Sequence, residues 1–365
     1  MAIPFAVVLW LNEAVMDVKA WQKGFGIPIL PVTLLLILVG DGCTSPDNLA
    51  RTVLEAPNEH IKIPKFFEQV GLALATNFSS EHITVGPPPA TLDLMVMEPG
   101  DYHVKLNSTF TPVPPSSPRE PPRYDFSFTS DLSHFAPKAT TAPGDIHGTI
   151  FLLHGYGLDK EAMMPWGLVL AEAGYQVVLV DLRGNGHSTG DHIYFGGIER
   201  TDMVQCLDIL IQRHVCVEPV GALGISYGAV LALQWAAIDP RVQSVVAISA
   251  YPDPYAAVER YLKTFAPDLT WPTDRKAATL VAAELAVFPD LATATAIQQN
   301  KHPILFIRGE KDEVCLPEDL NRFEAVAPPG SEVKEVPLAN HLITGMCLTQ
   351  LRDAVTNWFV RQLSR

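Results

Sequence analysis

The arrangement of apolar and polar positions differs between the two parts of the chain that meet near residue 149. In the first part, Leu92, Leu94 and Val96 recur at every second position, a period of two that predicts a half-buried strand. In the second part, continuous apolar runs alternate with helical patterns, which is typical of buried parallel strands joined by crossover helices. The predicted strands are TIFLLHG, QVVLVDL, VGALGIS, SVVAIS and PILFIRG, with a further strand near EVKEVP.

Helical spacing between these runs predicts a doubly wound, mostly parallel α/β sheet. The last helix shows the pattern well, because Leu348, Leu351, Val355 and Phe359 fall on one face. Residues 254–300 are rich in Ala and Leu and interrupt the alternation, so they predict a small helical cap. Helices are expected near 160–173, 198–213, 228–238, 317–326 and 346–362, with another near 65–76.

These patterns divide the chain into three expected parts. Residues 1–43 form a signal-peptide-like segment, residues 44–123 an N-terminal extension, and residues 124–365 the main α/β domain with its cap over about 254–300. In the extension, the proline-rich stretch at 112–122 predicts a stiff linker or surface loop, because prolines fix φ and remove hydrogen-bond donors. The strand pattern around Leu92 and that of RYDFSFTSDL predict antiparallel strands leading into the main sheet.

Composition narrows the classes of function. With 365 residues, of which 48% are hydrophobic, the chain can bury a full core. The formal net charge of −14 leaves no basic face for a phosphate backbone, so nucleic acid is not an expected partner. The five cysteines show neither a Cys-x-x-Cys pair nor the Cys/His spacing of a zinc site. No metal and no cofactor are therefore expected.

An uncharged apolar run at 25–40 follows Lys19 and Lys23, the order of a signal peptide, and is shorter than the roughly twenty residues of a membrane span. Cys43 follows a small residue just after this run and resembles the lipobox cysteine of bacterial lipoproteins. The resemblance implies a lipid on Cys43, membrane attachment through that lipid, and a periplasmic or cell-envelope lipoprotein. The alternatives are a plain cleaved signal peptide or an uncleaved signal anchor, and a start at Met16 would give a more typical signal.

The segment Gly224-Ile225-Ser226-Tyr227-Gly228 carries the strongest chemical signal, because it follows a strand pattern and precedes a helical one. A nucleophile at such a sharp turn needs small residues two positions before and after it, since side chains there would collide with the neighbouring strand and helix. The N-terminus of the following helix also directs partial positive charge at the reaction centre. Ser226 is therefore the candidate nucleophile, and the alternative is a serine in a glycine-rich packing turn.

In this context the chain resembles the α/β-hydrolase superfamily over roughly residues 145–365, in its serine esterase, serine aminopeptidase and monoglyceride lipase branches. The motif HGYG at 154–157 is similar to the family's H-G loop. The resemblance implies the α/β-hydrolase fold and an oxyanion hole formed by the backbone N–H groups of Tyr156 and Tyr227.

The motif DLRGNGHS at 181–188 resembles the family's D-x-R-G-x-G-x-S loop, which implies structural roles for Asp181 and Arg183. The match of His154 to the H-G loop likewise implies a structural role for its side chain.

The remaining catalytic candidates follow in the order that this fold imposes: serine, acid, then histidine. Asp312 lies just beyond the strand PILFIRG, where the family places its acid, and His341 lies between EVKEVP and the final helix. Asp253, after SVVAIS, is an alternative acid.

The implied reaction is acyl transfer through Ser226, with His341 as base and Asp312 orienting it. The favoured substrate is a small-molecule carboxylic ester. A serine peptidase, an acyltransferase and a non-enzymatic binding module remain open, and no acidic cluster for a peptide's amino terminus is evident in the sequence.

Overall fold

Ten strands are present among the residues that the computed structural model describes, which are 45–59, 78–100, 102, 105–113, 123–131, 146–266, 272–288 and 290–363. In chain order they are β1 Ser79–Val85, β2 Ala90–Met97, β3 Lys105–Val113, β4 Arg123–Asp131, β5 Thr149–Leu153, β6 Gln176–Val180, β7 Val220–Ile225, β8 Val242–Ile248, β9 Ile304–Gly309 and β10 Glu332–Val336. The predicted signal segment, Cys43 and the helix near 65–76 lie outside the described residues, as does most of the proline-rich stretch at 112–122.

Eight of these strands form one sheet in the order β1-β2-β6-β5-β7-β8-β9-β10. The pairs β1/β2 and β2/β6 are antiparallel, and all other neighbours in this sheet are parallel. The predicted doubly wound, mostly parallel α/β sheet is thus confirmed. Because β1 and β2 belong to this sheet, the predicted domain boundary between residues 123 and 124 divides it.

Strands β3 and β4 form a separate antiparallel pair. The prediction that the early strands lead into the main sheet is therefore correct for β2 and wrong for β4. Ser108 on β3 ties this pair to the final helix, since its N–H donates to Thr349 Oγ1 at 2.9 Å and its Oγ accepts from the Thr349 N–H at 3.2 Å.

The helices of the main domain lie where the spacing of apolar residues predicts them, whereas the helix at Pro46–Leu54 was not predicted. They are α1 Pro46–Leu54, α2 Met164–Glu172, α3 Glu199–Gln212, α4 Tyr227–Ile238, α5 Pro254–Phe265, α6 Thr273–Leu285, α7 Thr293–Gln299, α8 Pro317–Val326 and α9 Leu348–Leu363. Three short 3₁₀ helices accompany them at Pro57–Glu59, Lys160–Met163 and Thr344–Met346. Within the described part of the chain, none of the helices has the length and apolar character needed to cross a bilayer.

Successive residues of the central strands face opposite sides of the sheet, and both sides are covered by helices. On β5, Phe151 and Leu153 pack into a cluster that includes residues of α3 and α4, whereas Ile150 and Leu152 pack into a cluster that includes residues of α2 and α9. Every residue of β5 is buried. This two-sided burial explains why the central strands are continuous apolar runs rather than alternating ones.

The segment predicted as a helical cap contains α5, α6 and α7. Helix α6 packs against both α5 and α1, whereas α7 packs against α4. Asn300, which follows α7, donates from its side-chain amide to the Leu233 carbonyl at 3.0 Å. The contact between α1 and α6 joins the N-terminal helix to the cap.

Candidate active site

Ser226 lies at the sharp turn between β7 and α4, with φ of 53° and ψ of −112°. A β-carbon on Gly224 would lie 2.1 Å from the Gly228 carbonyl oxygen, and one on Gly228 would lie 2.1 Å from the Leu153 carbonyl oxygen. Both positions therefore exclude any residue larger than glycine, as the sequence pattern predicts. The strained backbone of Ser226 is stabilised by its N–H, which donates to the Ile248 carbonyl on β8 at 2.8 Å.

The structure brings Ser226, His341 and Asp312 together in one hydrogen-bonded chain. Ser226 Oγ lies 2.9 Å from His341 Nε2, and His341 Nδ1 lies 2.9 Å from Asp312 Oδ1. Asp312 Oδ1 also accepts from the backbone N–H groups of Val314 and Cys315 at 3.0 and 2.8 Å. With the imidazole proton on Nδ1, which the carboxylate favours, Nε2 is free to accept a proton from the serine.

Two loops place the acid and the base against each other. Asp312 follows β9 and His341 follows β10, and these are parallel neighbours whose carboxyl ends meet at one edge. A β-carbon on Gly309 would lie 2.2 Å from the Ala339 carbonyl oxygen, and the Lys311 N–H donates to that oxygen at 2.8 Å. The close approach of the two loops therefore depends on the glycine that ends β9.

Burial and charge act in opposite directions on this pair. Burial would raise the pKa of Asp312, but the charge and hydrogen bond of His341 outweigh it, and the pKa lies below its ordinary value. Burial would lower the pKa of His341, but Asp312 outweighs it and Glu313 adds to the effect, so that pKa is raised. The arrangement stabilises a carboxylate beside an imidazole that readily takes a proton.

The H-G loop lies directly beside the serine, because a β-carbon on Gly155 would lie 3.9 Å from Ser226 Cβ. Among the hydrogen bonds of the described residues, neither the Tyr156 N–H nor the Tyr227 N–H has an acceptor. Two backbone donors, one in the H-G loop and one directly after the nucleophile, thus have no acceptor among the described residues. Such a pair can stabilise negative charge on a substrate oxygen.

The side chains expected to be structural are indeed occupied by internal contacts. His154 accepts from the Leu182 N–H through Nε2 at 3.0 Å and contacts the Gly155 carbonyl through Nδ1 at 2.7 Å, and burial lowers its pKa. Arg183 makes two hydrogen bonds of 2.7 and 2.8 Å to Asp202. Asp181 accepts from Lys160 Nζ at 2.7 Å.

The alternative acid, Asp253, has a different position. Its carboxylate accepts from the Ala256 N–H at 2.8 Å and caps α5, so it serves the start of a helix. The contact with His341 is made by Asp312 instead.

Sequence reasoning did not identify Asn185, which supports the H-G loop. Its side-chain oxygen accepts from the Gly157 N–H at 3.2 Å, and its amide donates to the Arg183 carbonyl at 2.8 Å. The signal was present in the D-x-R-G-x-G-x-S motif, where Asn185 occupies the first variable position after Gly184. Its partner is distant in the chain, however, so the motif alone does not reveal the contact.

Neither metal nor thiol chemistry is indicated in the described part of the chain. No group of three or more His, Cys, Asp or Glu side chains there could hold a metal ion. The four described cysteines are free thiols, and burial raises the pKa of each, so they are not reactive thiolates: Cys206, Cys216, Cys315 and Cys347.

Comparison with known proteins gives one family and several relatives. The sequence model of the X-Pro dipeptidyl-peptidases (S15 family) matches residues 95–305. A caffeoylshikimate esterase of Arabidopsis thaliana is 35% identical over 78 residues, which are 21% of this chain and 23% of that esterase. The chain thus aligns with less than a quarter of that relative.

Solved structures share the fold at low sequence identity. An esterase of Pyrococcus furiosus superposes with a TM-score of 0.57 at 17% identity, covering 83% of this chain and 95% of that one. An α/β hydrolase of Penicillium sp. sh18 superposes with a TM-score of 0.54 at 14% identity, covering 78% and 99%. These likenesses support the α/β-hydrolase fold.

Proposed function

Because the chain belongs to the family of X-Pro dipeptidyl-peptidases (S15), which have the α/β-hydrolase fold, we propose that it is a serine hydrolase acting through Ser226, His341 and Asp312. One observation carries the proposal. The serine hydroxyl, the imidazole and the carboxylate form a continuous chain with two contacts of 2.9 Å, at a strained strand-to-helix turn. Three groups in this order can remove the serine proton as the oxygen attacks a carbonyl.

The proposed reaction has two stages. His341 Nε2 accepts the Ser226 proton while Oγ bonds to the substrate carbonyl carbon, and the protonated ring then returns that proton to the leaving group. Water, with its proton taken by the same nitrogen, attacks the acyl-enzyme, and Ser226 leaves with the proton restored. Asp312 holds the ring with its proton on Nδ1 and stabilises the charged imidazolium.

Negative charge forms on the substrate's carbonyl oxygen in both stages. The N–H groups of Tyr156 and Tyr227 have no protein acceptor among the described residues and are proposed as its donors. Each donor in such a site stabilises the transition state by roughly 3–4 kcal/mol. The N-terminus of α4 adds partial positive charge in the same direction.

For the substrate we propose a carboxylic ester of modest size. An ester requires no site for a free amino terminus, and aromatic side chains stand in the H-G loop and directly after the nucleophile. Tyr156 and Phe195 lie with centroids 6.3 Å apart, and Tyr227 meets both rings edge-on. These apolar groups favour an uncharged acyl group over a polar one.

A second candidate is cleavage of a peptide after proline, since the matching family is that of X-Pro dipeptidyl-peptidases and the match covers residues 95–305. The same triad would serve, with an amine as leaving group in place of an alcohol. Release of a dipeptide also requires recognition of a free amino terminus, whereas an ester does not.

A substrate panel tests the proposal and separates the candidates. Wild type, Ser226→Ala and the matched control Ser80→Ala, which changes an exposed serine on β1, are assayed with p-nitrophenyl esters of increasing acyl length and with Gly-Pro-p-nitroanilide. We expect turnover of a short ester, loss of it in Ser226→Ala and no change in Ser80→Ala. Turnover of the anilide alone would replace the ester proposal with the peptide one. Equal turnover by Ser226→Ala and wild type would contradict a serine mechanism.

We also propose that the chain is exported and attached to a membrane through a lipid on Cys43, as the apolar run at 25–40 indicates. Mass spectrometry of the mature N-terminus tests this. A diacylglyceryl mass on Cys43 is expected, and an unmodified peptide that runs through Cys43 would contradict it.

A further inference from the structure

Tyr156 carries a second polar group besides its backbone N–H. Its side chain is partly buried, and its hydroxyl donates to the Val53 carbonyl oxygen at 2.9 Å, with the Thr52 carbonyl oxygen at 3.4 Å. Burial strongly raises the pKa of this phenol, so the hydroxyl remains a donor throughout the ordinary pH range. The hydrogen bond joins the H-G loop to the C-terminal turn of α1.

The segment that follows this carbonyl is itself held in place. From Leu54, the last residue of α1, the chain pairs with the loop at 184–193: the Ile193 N–H donates to the Leu54 carbonyl at 2.8 Å, and the Ala56 N–H donates to the Asp191 carbonyl at 3.1 Å. The Asn58 N–H donates to the Gly184 carbonyl at 3.1 Å. Helix α1 also packs against α6 of the cap.

The Tyr156 ring is held by packing as well as by its hydroxyl. It stacks on Phe195, with centroids 6.3 Å apart and planes at 22°, and it meets the Tyr227 ring edge-on at 6.4 Å. The two residues proposed as oxyanion donors therefore touch through their side chains. A shift of the Tyr156 ring would move its N–H relative to that of Tyr227.

From these contacts we infer that the Tyr156 hydroxyl positions the N–H of its own residue for catalysis, and that segment 45–58, which precedes the sheet, completes the active site. The inference rests on the proposed function, since it assigns Tyr156 N–H to the oxyanion hole. Asn185 holds the next residue, Gly157, from the other side. The donor is thus fixed between two tethers, one of them supplied by the N-terminal segment.

The substitution Tyr156→Phe separates the two roles of this residue, because it keeps the ring and the backbone N–H and removes only the hydroxyl. A misplaced donor weakens transition-state stabilisation more than substrate binding. We expect kcat for a p-nitrophenyl ester to fall about tenfold while KM changes by less than about twofold. The matched control is Tyr194→Phe, which removes a nearby hydroxyl without a hydrogen-bond partner among the described residues.

Two further measurements distinguish positioning from a structural role. Titration with a fluorophosphonate gives the number of reactive serines, so kcat is expressed per active site, and a boronic acid that forms a tetrahedral adduct on Ser226 reports oxyanion stabilisation. We expect its inhibition constant to rise by about the factor by which kcat falls, since both depend on the same donors. Tyr194→Phe should match wild type in each measurement.

The outcomes separate the inference from the proposed function. If wild type reacts with the fluorophosphonate at Ser226 and Tyr156→Phe retains the wild-type kcat per site, the positioning role is wrong and the triad stands. The role is also wrong if Tyr156→Phe only lowers the number of active sites and the thermal midpoint. If wild type neither reacts nor turns over an ester, the proposed function itself fails.

Discussion

The two sides of Ser226 are built from different kinds of contact. On the side of His341 and Asp312, charged groups meet through hydrogen bonds, and the residues come from loops after adjacent parallel strands. On the side of Tyr156, the contacts are between neutral groups. The Tyr156 ring packs on Phe195, and its hydroxyl donates to a backbone carbonyl of α1, the helix that precedes the sheet. Charge therefore acts on the proposed base, whereas packing acts on the proposed oxyanion donors.

This difference predicts that removing single side chains of the site lowers kcat by unequal factors. Ser226→Ala and His341→Ala should each lower kcat by about 10⁶-fold, and the double variant should lose little more, because the two groups act as one unit. Steady-state kinetics with a p-nitrophenyl ester measure the effect. Additive losses in the double variant would show that the two side chains act independently.

The acid should matter less than the nucleophile and the base. Asp312→Asn keeps the shape of the side chain but removes the charge that favours the proton on His341 Nδ1, and we expect kcat to fall about 10⁴-fold. Asp253→Asn is the matched control, since asparagine caps a helix as well as aspartate does. A large loss in Asp253→Asn with activity retained in Asp312→Asn would reverse the assignment.

The pH dependence tests the charged side directly. The raised pKa of His341 means that the ring stays protonated, and unable to act as a base, to a higher pH than an ordinary imidazole. We expect the acidic limb of kcat/KM to lie above pH 6.5, with activity falling about tenfold per pH unit below it. Glu313→Gln should move this limb to lower pH, because Glu313 contributes to the raised pKa. An acidic limb of kcat/KM below about pH 6 that Glu313→Gln does not move would show that the pKa of His341 is not raised.

The hairpin of β3 and β4 should affect stability and leave catalysis unchanged. Ser108→Ala removes the Oγ that accepts from the Thr349 N–H, and we expect the free energy of unfolding to fall by about 1 kcal/mol with kcat/KM unchanged. The exposed neighbour Thr109→Ala serves as control, and denaturant unfolding measures both. If fully folded Ser108→Ala shows a lower kcat/KM than wild type, the pair of β3 and β4 contributes to catalysis and the prediction is wrong.

Sequence reasoning succeeds where the determinant is local. The apolar run of β5 and the small residues at Gly224 and Gly228 are read directly from neighbouring positions, since burial and collision impose them. The order of Ser226, Asp312 and His341 follows from the parallel strands that carry them. The bond between Tyr156 and Val53 could not be foreseen, because it spans 103 positions and joins a side chain to a backbone carbonyl that any residue could supply.

The same limit explains the errors about the N-terminal part. Strands β2 and β4 carry similar alternating patterns, yet β2 pairs with β6, whereas among the described strands β4 pairs only with β3. An alternating pattern reports which face of a strand is buried and not which neighbour covers it. The partner of each strand is decided by contacts that are distant in the chain.

Labelling with a fluorophosphonate identifies the residue whose side chain acts as the nucleophile. Folded wild-type protein is treated with the probe, and tandem mass spectrometry identifies the modified residue, with heat-denatured protein as the control for nonspecific labelling. We expect one adduct per chain, on Ser226, that is absent from the denatured sample and forms much more slowly in His341→Ala. An adduct on another residue, or none in the folded protein, would contradict the assignment of Ser226 as the nucleophile.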